Sequence, residues 1–209
     1  MSSGKGIFVV LEGGEGAGKS TQMERLKEWL AKEHPDRDVL FTREPGGSPW
    51  ADKVRALITS PDCREANGMA MMGLFIAARA DHIEKTVLPA LRAGKVVICD
   101  RYISSTYAIQ VMGQEMPELE GLFDAHLALV PAADLTIVIE VNPEVTMERV
   151  ASRGEQSHFD ARDAGFHARV RDGYRKFIEK SGWKAEFVDG NRSRDEVWLD
   201  VQKAVTSVL

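Results

Sequence analysis

Ile7-Phe8-Val9-Val10-Leu11-Glu12-Gly13-Gly14-Glu15-Gly16-Ala17-Gly18-Lys19-Ser20-Thr21 is the stretch whose reading decides the fold. Ile7 to Leu11 is a continuous apolar run, the pattern of a strand covered on both faces. Gly13 to Ser20 fits G-x-x-x-x-G-K-[ST]. A helical pattern then runs from about Lys19 to Glu33 and stops before His34-Pro35, because proline disfavours a helical residue ahead of it. Strand, glycine-rich turn and helix in that order make an anion-binding loop. The glycines allow successive backbone N–H groups to point inward, and the helix adds the positive end of its dipole. Gly13, Gly14, Glu15, Gly16, Ala17, Gly18, Lys19, Ser20 and Thr21 are the candidate triphosphate-binding residues. Lys19 is the length to reach β- and γ-phosphates, and the Ser20 hydroxyl suits the shell of a Mg²⁺ ion.

Outward from this loop, apolar β-branched runs alternate with helical patterns. Val39 to Thr42, Val96 to Asp100, Leu135 to Val141 and Ala185 to Val188 read as four more strands. Helices are predicted over about Trp50 to Ile58, over Gly68 to Arg92 with a kink or restart near Pro89, and over Asp195 to Val208. Asn142-Pro143-Glu144 is a helix start, with a capping residue, a proline at the first helical position and an acid in the first turn. Five buried strands alternating with helices imply an α/β fold with a five-stranded parallel sheet and helices on both faces. No linker divides the chain, so residues 1–209 are expected to form one domain.

Composition narrows the function classes. Apolar residues are 44% and charged residues 28%, ordinary for a soluble globular chain. Lys plus Arg is 27 against 32 Asp plus Glu, a net charge of −5, which argues against a protein that coats nucleic acid. A small anionic substrate needs few local cations and stays open. Two cysteines make no disulfide framework: Cys99 reads as a small core residue and Cys63 as a loop thiol. Met1 to Gly6 lacks a signal-peptide pattern, and the uncharged stretch Ala66 to Ala78 is too short to span a bilayer, so the expected location is cytoplasmic without membrane contact.

The triphosphate loop alone does not separate a kinase from a switch. Guanine-nucleotide switches typically carry Asn/Thr-Lys-x-Asp, and the sequence has no such motif. Ligands in open parallel sheets bind beyond the carboxyl ends of strands. Asp100-Arg101-Tyr102 follows one strand, with Asp100 suited to a Mg²⁺-bound water and Arg101 to bridging phosphates, although a structural ion pair would look the same. Arg43 and Glu44 follow another strand, in Thr42-Arg43-Glu44-Pro45-Gly46-Gly47. Phe75 and Arg79, four apart, share a helix face and suit base stacking and phosphate contact, or else are a core Phe beside a surface Arg.

Together these motifs resemble the bacterial thymidylate kinases. The triphosphate loop, Thr42 to Gly47, Leu74-Phe75-Ile76-Ala77-Ala78-Arg79, and Asp100-Arg101-Tyr102 with Ser105, Ala108 and Gln110 stand in the family's order. The likeness continues through Asn142 to Glu144, Arg153-Gly154 and Phe166 to Tyr174, nearly the whole chain. The resemblance implies a nucleoside monophosphate kinase-like fold, transfer of the ATP γ-phosphate to dTMP, a Mg²⁺ cofactor held by Ser20 and Asp100, and a homodimer. It also implies site roles. Phe75 stacks on thymine, Arg79 contacts the base edge, Arg101 binds the dTMP phosphate and Glu15 meets the sugar 3′-hydroxyl. Ser105 and Gln110 line the thymidine pocket, and Arg43 and Glu44 lie near acceptor phosphate and metal. Lys19, Arg101, Arg153 and Glu15 form the implied catalytic set. Another nucleotide or deoxynucleoside kinase and a slow-hydrolysing switch are the competing readings.

The chain departs from the family's pattern at a lid segment of about 149–165. Position 16 is Gly, so the triphosphate loop lacks the arginine that some members carry there, and the lid is expected to supply that cation. The usual lid arginine aligns with His158 in Ser157-His158-Phe159-Asp160. Among the lid arginines, Arg149 and Arg153 are the better placed. Arg153 is the candidate for the role, Arg162 the reserve and His158 the alternative. Ile109 replaces a common aromatic and Val111 a usual Gly, which implies looser base and sugar selectivity.

Overall fold

β1 (Ile7–Glu12), β2 (Val39–Arg43), β3 (Val96–Asp100), β4 (Leu135–Glu140) and β5 (Ala185–Asp189) form one parallel sheet in the order β2-β3-β1-β4-β5. The computed structural model describes residues 6–151 and 162–209. Parallel neighbours cannot be joined by tight hairpins, so helices provide the crossovers. They are α1 (Lys19–Glu33), α2 (Pro49–Ile58), α3 (Gly68–His82), α4 (Leu88–Arg92), α5 (Ile103–Thr106), α6 (Glu120–Leu127), α7 (Pro143–Ala151), α8 (Ala164–Ser181) and α9 (Arg194–Thr206).

The continuous apolar runs have their reason in two cores. Alternate strand residues point to opposite faces. Val9, Leu11, Ile98 and Ile137 pack with Leu26 and Leu30 of α1 and Val201 and Val205 of α9. Phe8, Val10, Val97 and Cys99 pack on the other face with Val87, Ile103, Phe123 and Phe177. The central strands β1, β3 and β4 are thus buried on both sides, whereas the edge strands depart from the expected burial: β2 is half-buried and β5 largely exposed, because each has a sheet neighbour on one side only. Register fixes the site: Leu11 and Arg43 both pair with Asp100, so the carboxyl ends of β1, β2 and β3 finish side by side.

The predicted strands and helices stand within a residue or two of their expected ends, with informative exceptions. The helical stretch Gly68 to Arg92 is interrupted by a wide turn at Ile83–Val87, where the Leu88 N–H donates to the Ile83 carbonyl. Pro89 follows, and its ring would clash with the carbonyl four residues back in a regular helix; the wide turn relieves that. Cys63 lies in a short 3₁₀ turn and is buried, where the sequence suggested a loop thiol. Its burial follows from packing against Ala51, Val54, Ile58 and Met71. The periodicity reading passed over α5, α6 and α8. α8 buries Phe166, Val170, Tyr174 and Phe177 at helical spacing beneath a surface crowded with arginines. Asp163 caps it, accepting the Phe166 N–H at 2.7 Å. Among the described residues no helix is long and apolar enough to cross a membrane.

Candidate active site

The turn between β1 and α1 wraps a set of inward-facing donors. Gly13 has φ +147°, and a Cβ there would lie 2.6 Å from the Ile139 carbonyl oxygen, so the chain can make this turn only with glycine. Gly18 caps α1 without a side-chain hydrogen bond, which leaves the first-turn N–H groups facing the turn, as an anion-binding helix start requires. Lys19 is buried, and its Nζ donates to the carbonyls of Gly13 at 2.9 Å and Gly14 at 3.2 Å. Burial, helped by the neighbouring Arg101, pulls its pKa down to about 8. Ser20 is exposed at the start of α1, and Thr21 beside it is half-buried.

A cleft of about 320 Å³ opens at the carboxyl edge of the sheet and gathers both halves of the expected site. Gly14, Glu15, Gly16, Ala17, Gly18, Lys19 and Ser20 line one side; Arg43, Glu44, Phe75, Arg79, Asp100, Arg101, Ser105 and Gln110 line the rest. Phe75 is half-buried with its ring on the cleft, and Gln110 is buried in the wall. Arg43 is exposed at the end of β2, 3.7 Å from Asp52.

Arg101 stands where the two sides meet. Its φ of +68° is uncommon for a residue with a side chain, and such backbone strain gathers at functional sites. Its Nη2 donates to Glu15 Oε1 at 2.6 Å, and its Nη1 to the Gly13 carbonyl at 3.0 Å and Ser105 Oγ at 3.1 Å. Burial works against its charge, but Glu15, then Tyr174 and Glu12, outweigh that and hold its pKa above the usual arginine value. Glu15 and Arg101, expected to meet the sugar and phosphate of one acceptor, are thus an ion pair.

Arg79 is not the surface arginine that spacing alone allowed. It is 2% exposed; its Nε donates to Glu44 Oε2 at 2.6 Å and its Nη2 to Thr106 Oγ1 at 2.8 Å. Its Nη1 is buried with no hydrogen-bond partner among the described residues, a donor left available in the cleft wall. The second Glu44 oxygen meets His82 Nδ1 at 3.0 Å, and His82 Nε2 meets Thr42 Oγ1 at 2.7 Å. Glu44 therefore braces Arg79 on one side and His82 on the other. Gly47 is required beside this chain of bonds: a Cβ there would lie 2.5 Å from both His82 Nε2 and Thr42 Oγ1.

Asp100 ends β3 with Oδ1 buried and unpartnered among the described residues. An orphaned carboxylate oxygen in a cleft that Ser20 also lines fits a hydrated Mg²⁺, which takes few protein ligands and completes its shell with water and phosphate.

Several residues of the site escaped the sequence reading. Arg55 of α2 donates to the Pro45 carbonyl at 2.8 Å and lines the cleft, and burial and then Arg43 push its pKa down. Tyr174 places its hydroxyl 3.0 Å from Ser105 Oγ and 3.3 Å from the Gly13 carbonyl. Glu12 and His82 likewise lacked a local motif, whereas Phe166 and Tyr174 stood in the Phe166 to Tyr174 stretch of the resemblance with no role assigned to them. A charge closing an apolar strand, as Glu12 does, was the available signal, since a buried carboxylate must be paired. Of the lid candidates, Arg149 donates to the Gly16 carbonyl at 3.3 Å and the Gly190 carbonyl at 3.0 Å. Arg162 holds its guanidinium 5.3 Å from the centre of the Phe166 ring. Arg153 and His158 lie outside the described residues.

Comparison with known proteins matches this arrangement. The family model described as thymidylate kinase matches residues 11–200. A thymidylate kinase of Ruegeria pomeroyi is 39% identical over 99% of this chain and 98% of its own length. The Caulobacter vibrioides thymidylate kinase is 35% identical over 98% of each chain. The crystal structure of thymidylate kinase from Ehrlichia chaffeensis superposes with a TM-score of 0.75 at 30% identity, covering 97% of this chain and 99% of that one. A glycine-rich turn facing an arginine-rich wall across one cleft, in a chain similar over nearly its whole length to these relatives, makes this protein a member of the thymidylate kinase family.

Proposed function

We propose that the protein transfers the γ-phosphoryl group of ATP to dTMP, giving dTDP and ADP. The observation that carries this reading is one cleft with two differently built ends: a triphosphate loop with Lys19, and an opposite wall combining the Phe75 ring with Arg79 and Arg101. Phosphoryl transfer asks the protein mainly to position two anions in line and to neutralise charge. Lys19 follows the transferring group from the loop. Arg101 orients the acceptor phosphate, leaving Glu15 to accept from the sugar 3′-hydroxyl. Phe75 stacks on the base, with Arg79, braced by Glu44, and Gln110 at its edge, while Ser105 and Arg43 complete the acceptor end. Ser20 and Asp100 would hold Mg²⁺, which would offset the charge of the phosphates.

Residues 1–209 would act as one catalytic domain with a lid at about 149–165, where Arg153 supplies the remaining cation. Family membership further supports a homodimer that works in the cytoplasm. The test is an acceptor panel: ATP with Mg²⁺ against dTMP, dUMP, ribonucleotides, deoxynucleosides and water. Transfer to dTMP above every other acceptor is expected, by a margin that Ile109 and Val111 narrow. Preference for another acceptor would reassign the substrate, and hydrolysis without transfer would favour a switch.

A further inference from the structure

Glu12 lies wholly buried at the end of β1, one residue before the triphosphate loop. Its Oε1 accepts from the Tyr102 N–H at 2.8 Å, the Ser104 hydroxyl at 2.6 Å and the Ser105 N–H at 3.2 Å. Its Oε2 accepts from the Ser105 hydroxyl at 2.7 Å. All of these donors belong to the turn that leaves β3 and to the α5 helix that it enters. A buried carboxylate is costly to keep, and an apolar residue would serve a strand interior better. The acid is useful here because of what the turn carries. Arg101 immediately precedes these donors at φ +68°, and a strained conformation persists only where its surroundings over-determine it. On the other side of Glu12, the Gly13 carbonyl takes bonds from Lys19 and Arg101 together. One side chain therefore ties the acceptor turn to the start of the triphosphate loop.

We propose that Glu12 is a positioning residue for phosphoryl transfer: its carboxylate pins the β3–α5 turn and so sets Arg101 and Ser105 at the acceptor phosphate. It touches neither nucleotide. The inference rests on the reading of Arg101 as the acceptor-phosphate cation. Glu12→Gln keeps the shape but turns an NH₂ group toward donors, so the turn must shift. A misplacement of about 1 Å costs on the order of 100-fold in rate. Glu12→Gln is therefore expected to lower kcat/KM for dTMP by about 10- to 100-fold, with KM for ATP little changed.

The deciding measurement is a double-mutant cycle with Arg101→Ala, read as kcat/KM for dTMP. Glu12→Gln should cost almost nothing further once Arg101 is gone, because a pin without its guanidinium has nothing left to position. A carboxylate that merely supported the fold would give losses that multiply, and that result overturns the proposal, as would wild-type kinetics in Glu12→Gln or an equal effect on both substrates. If Arg101→Ala itself transfers to dTMP at the normal rate, the Arg101 assignment falls and this inference with it; if Arg101→Ala is crippled and the losses multiply, only the role of Glu12 falls. Should Glu12→Gln fail to fold, Ser104→Ala takes its place in the cycle. It removes one donor to Glu12 and leaves Arg101 and Ser105 intact. A several-fold loss that vanishes in the Arg101→Ala background is expected, and unchanged kinetics would then overturn the proposal.

Discussion

Lys19 carries its working charge where water is scarce, and that has a measurable consequence. Its pKa of about 8 belongs to the protein before nucleotide arrives, lowered by burial and by Arg101. The ammonium is the active form, so the loss must appear on the alkaline side. kcat/KM for ATP, which reports the free enzyme, is expected to fall as pH rises through about 8. Triphosphate bound beside Nζ stabilises the ammonium, so the alkaline limb of kcat should lie higher. Initial-rate profiles with each substrate varied will show the separation. Limbs at one common pH, or a kcat/KM that climbs through this range, would take the titration away from Lys19. Lys19→Arg is the control: whatever activity it keeps should lose the limb, because guanidinium stays charged throughout. Arg79 would make a poorer probe. Its guanidinium is buried against Glu44, and removing one partner of such a pair costs about 3–5 kcal/mol of stability, which would hide any effect on the base site.

At the scale of elements, the arginines on and beside α7 and α8 do different work. Arg149 on α7 is spent on carbonyls, bracing Gly16 against Gly190. Arg162, just before α8, sits over the Phe166 ring at the cleft edge. Arg169 of α8 donates to the Gly113 carbonyl and pairs with Glu115, a solvated helix face of the ordinary kind. Arg153 follows Arg149 by four positions in the chain, and Arg149 lies against the turn between β1 and α1. Gly16 leaves the loop itself without an arginine. Arg153→Ala is expected to lower kcat toward the range of about 10³–10⁵ that such cations supply, with dTMP affinity little changed. His158→Ala should be mild, since neutral imidazole dominates above pH 7. The two variants measured side by side, with pH–rate profiles, decide it. A mild Arg153→Ala beside a crippled His158→Ala whose parent loses activity as pH rises through the imidazole range would reverse the assignment.

Across the whole molecule, what was legible followed from how local each signal is. β1, β3 and β4 could be read because a strand buried on both faces leaves an unbroken apolar run, and the triphosphate loop because its contacts close within a few residues. Asp100 and Arg101 were readable from position, as polar residues directly beyond a buried strand. Glu12 with Ser105, Arg101 with Tyr174 and Glu44 with His82 are pairings between distant parts of the chain, and no spacing announces them. α8 hid for a related reason: its arginines dominate the sequence while its buried stripe becomes meaningful only against β4 and the turn after α5. The same limit applies to assembly. Trp50 and Leu57 are each 46% exposed and stand two turns apart on α2, sharing one outward face. α2 also carries Arg55 into the cleft, so a second copy docked on that face would steady the acceptor wall from behind. Light scattering on the eluting protein is expected to give twice the chain mass, with a Tm that rises with protein concentration. The pair Trp50→Glu and Leu57→Glu should yield a monomer with a weakened acceptor site, seen as a raised KM for dTMP. A wild-type monomer would end the dimer reading, whereas a dimer that survives both substitutions would move the interface off α2.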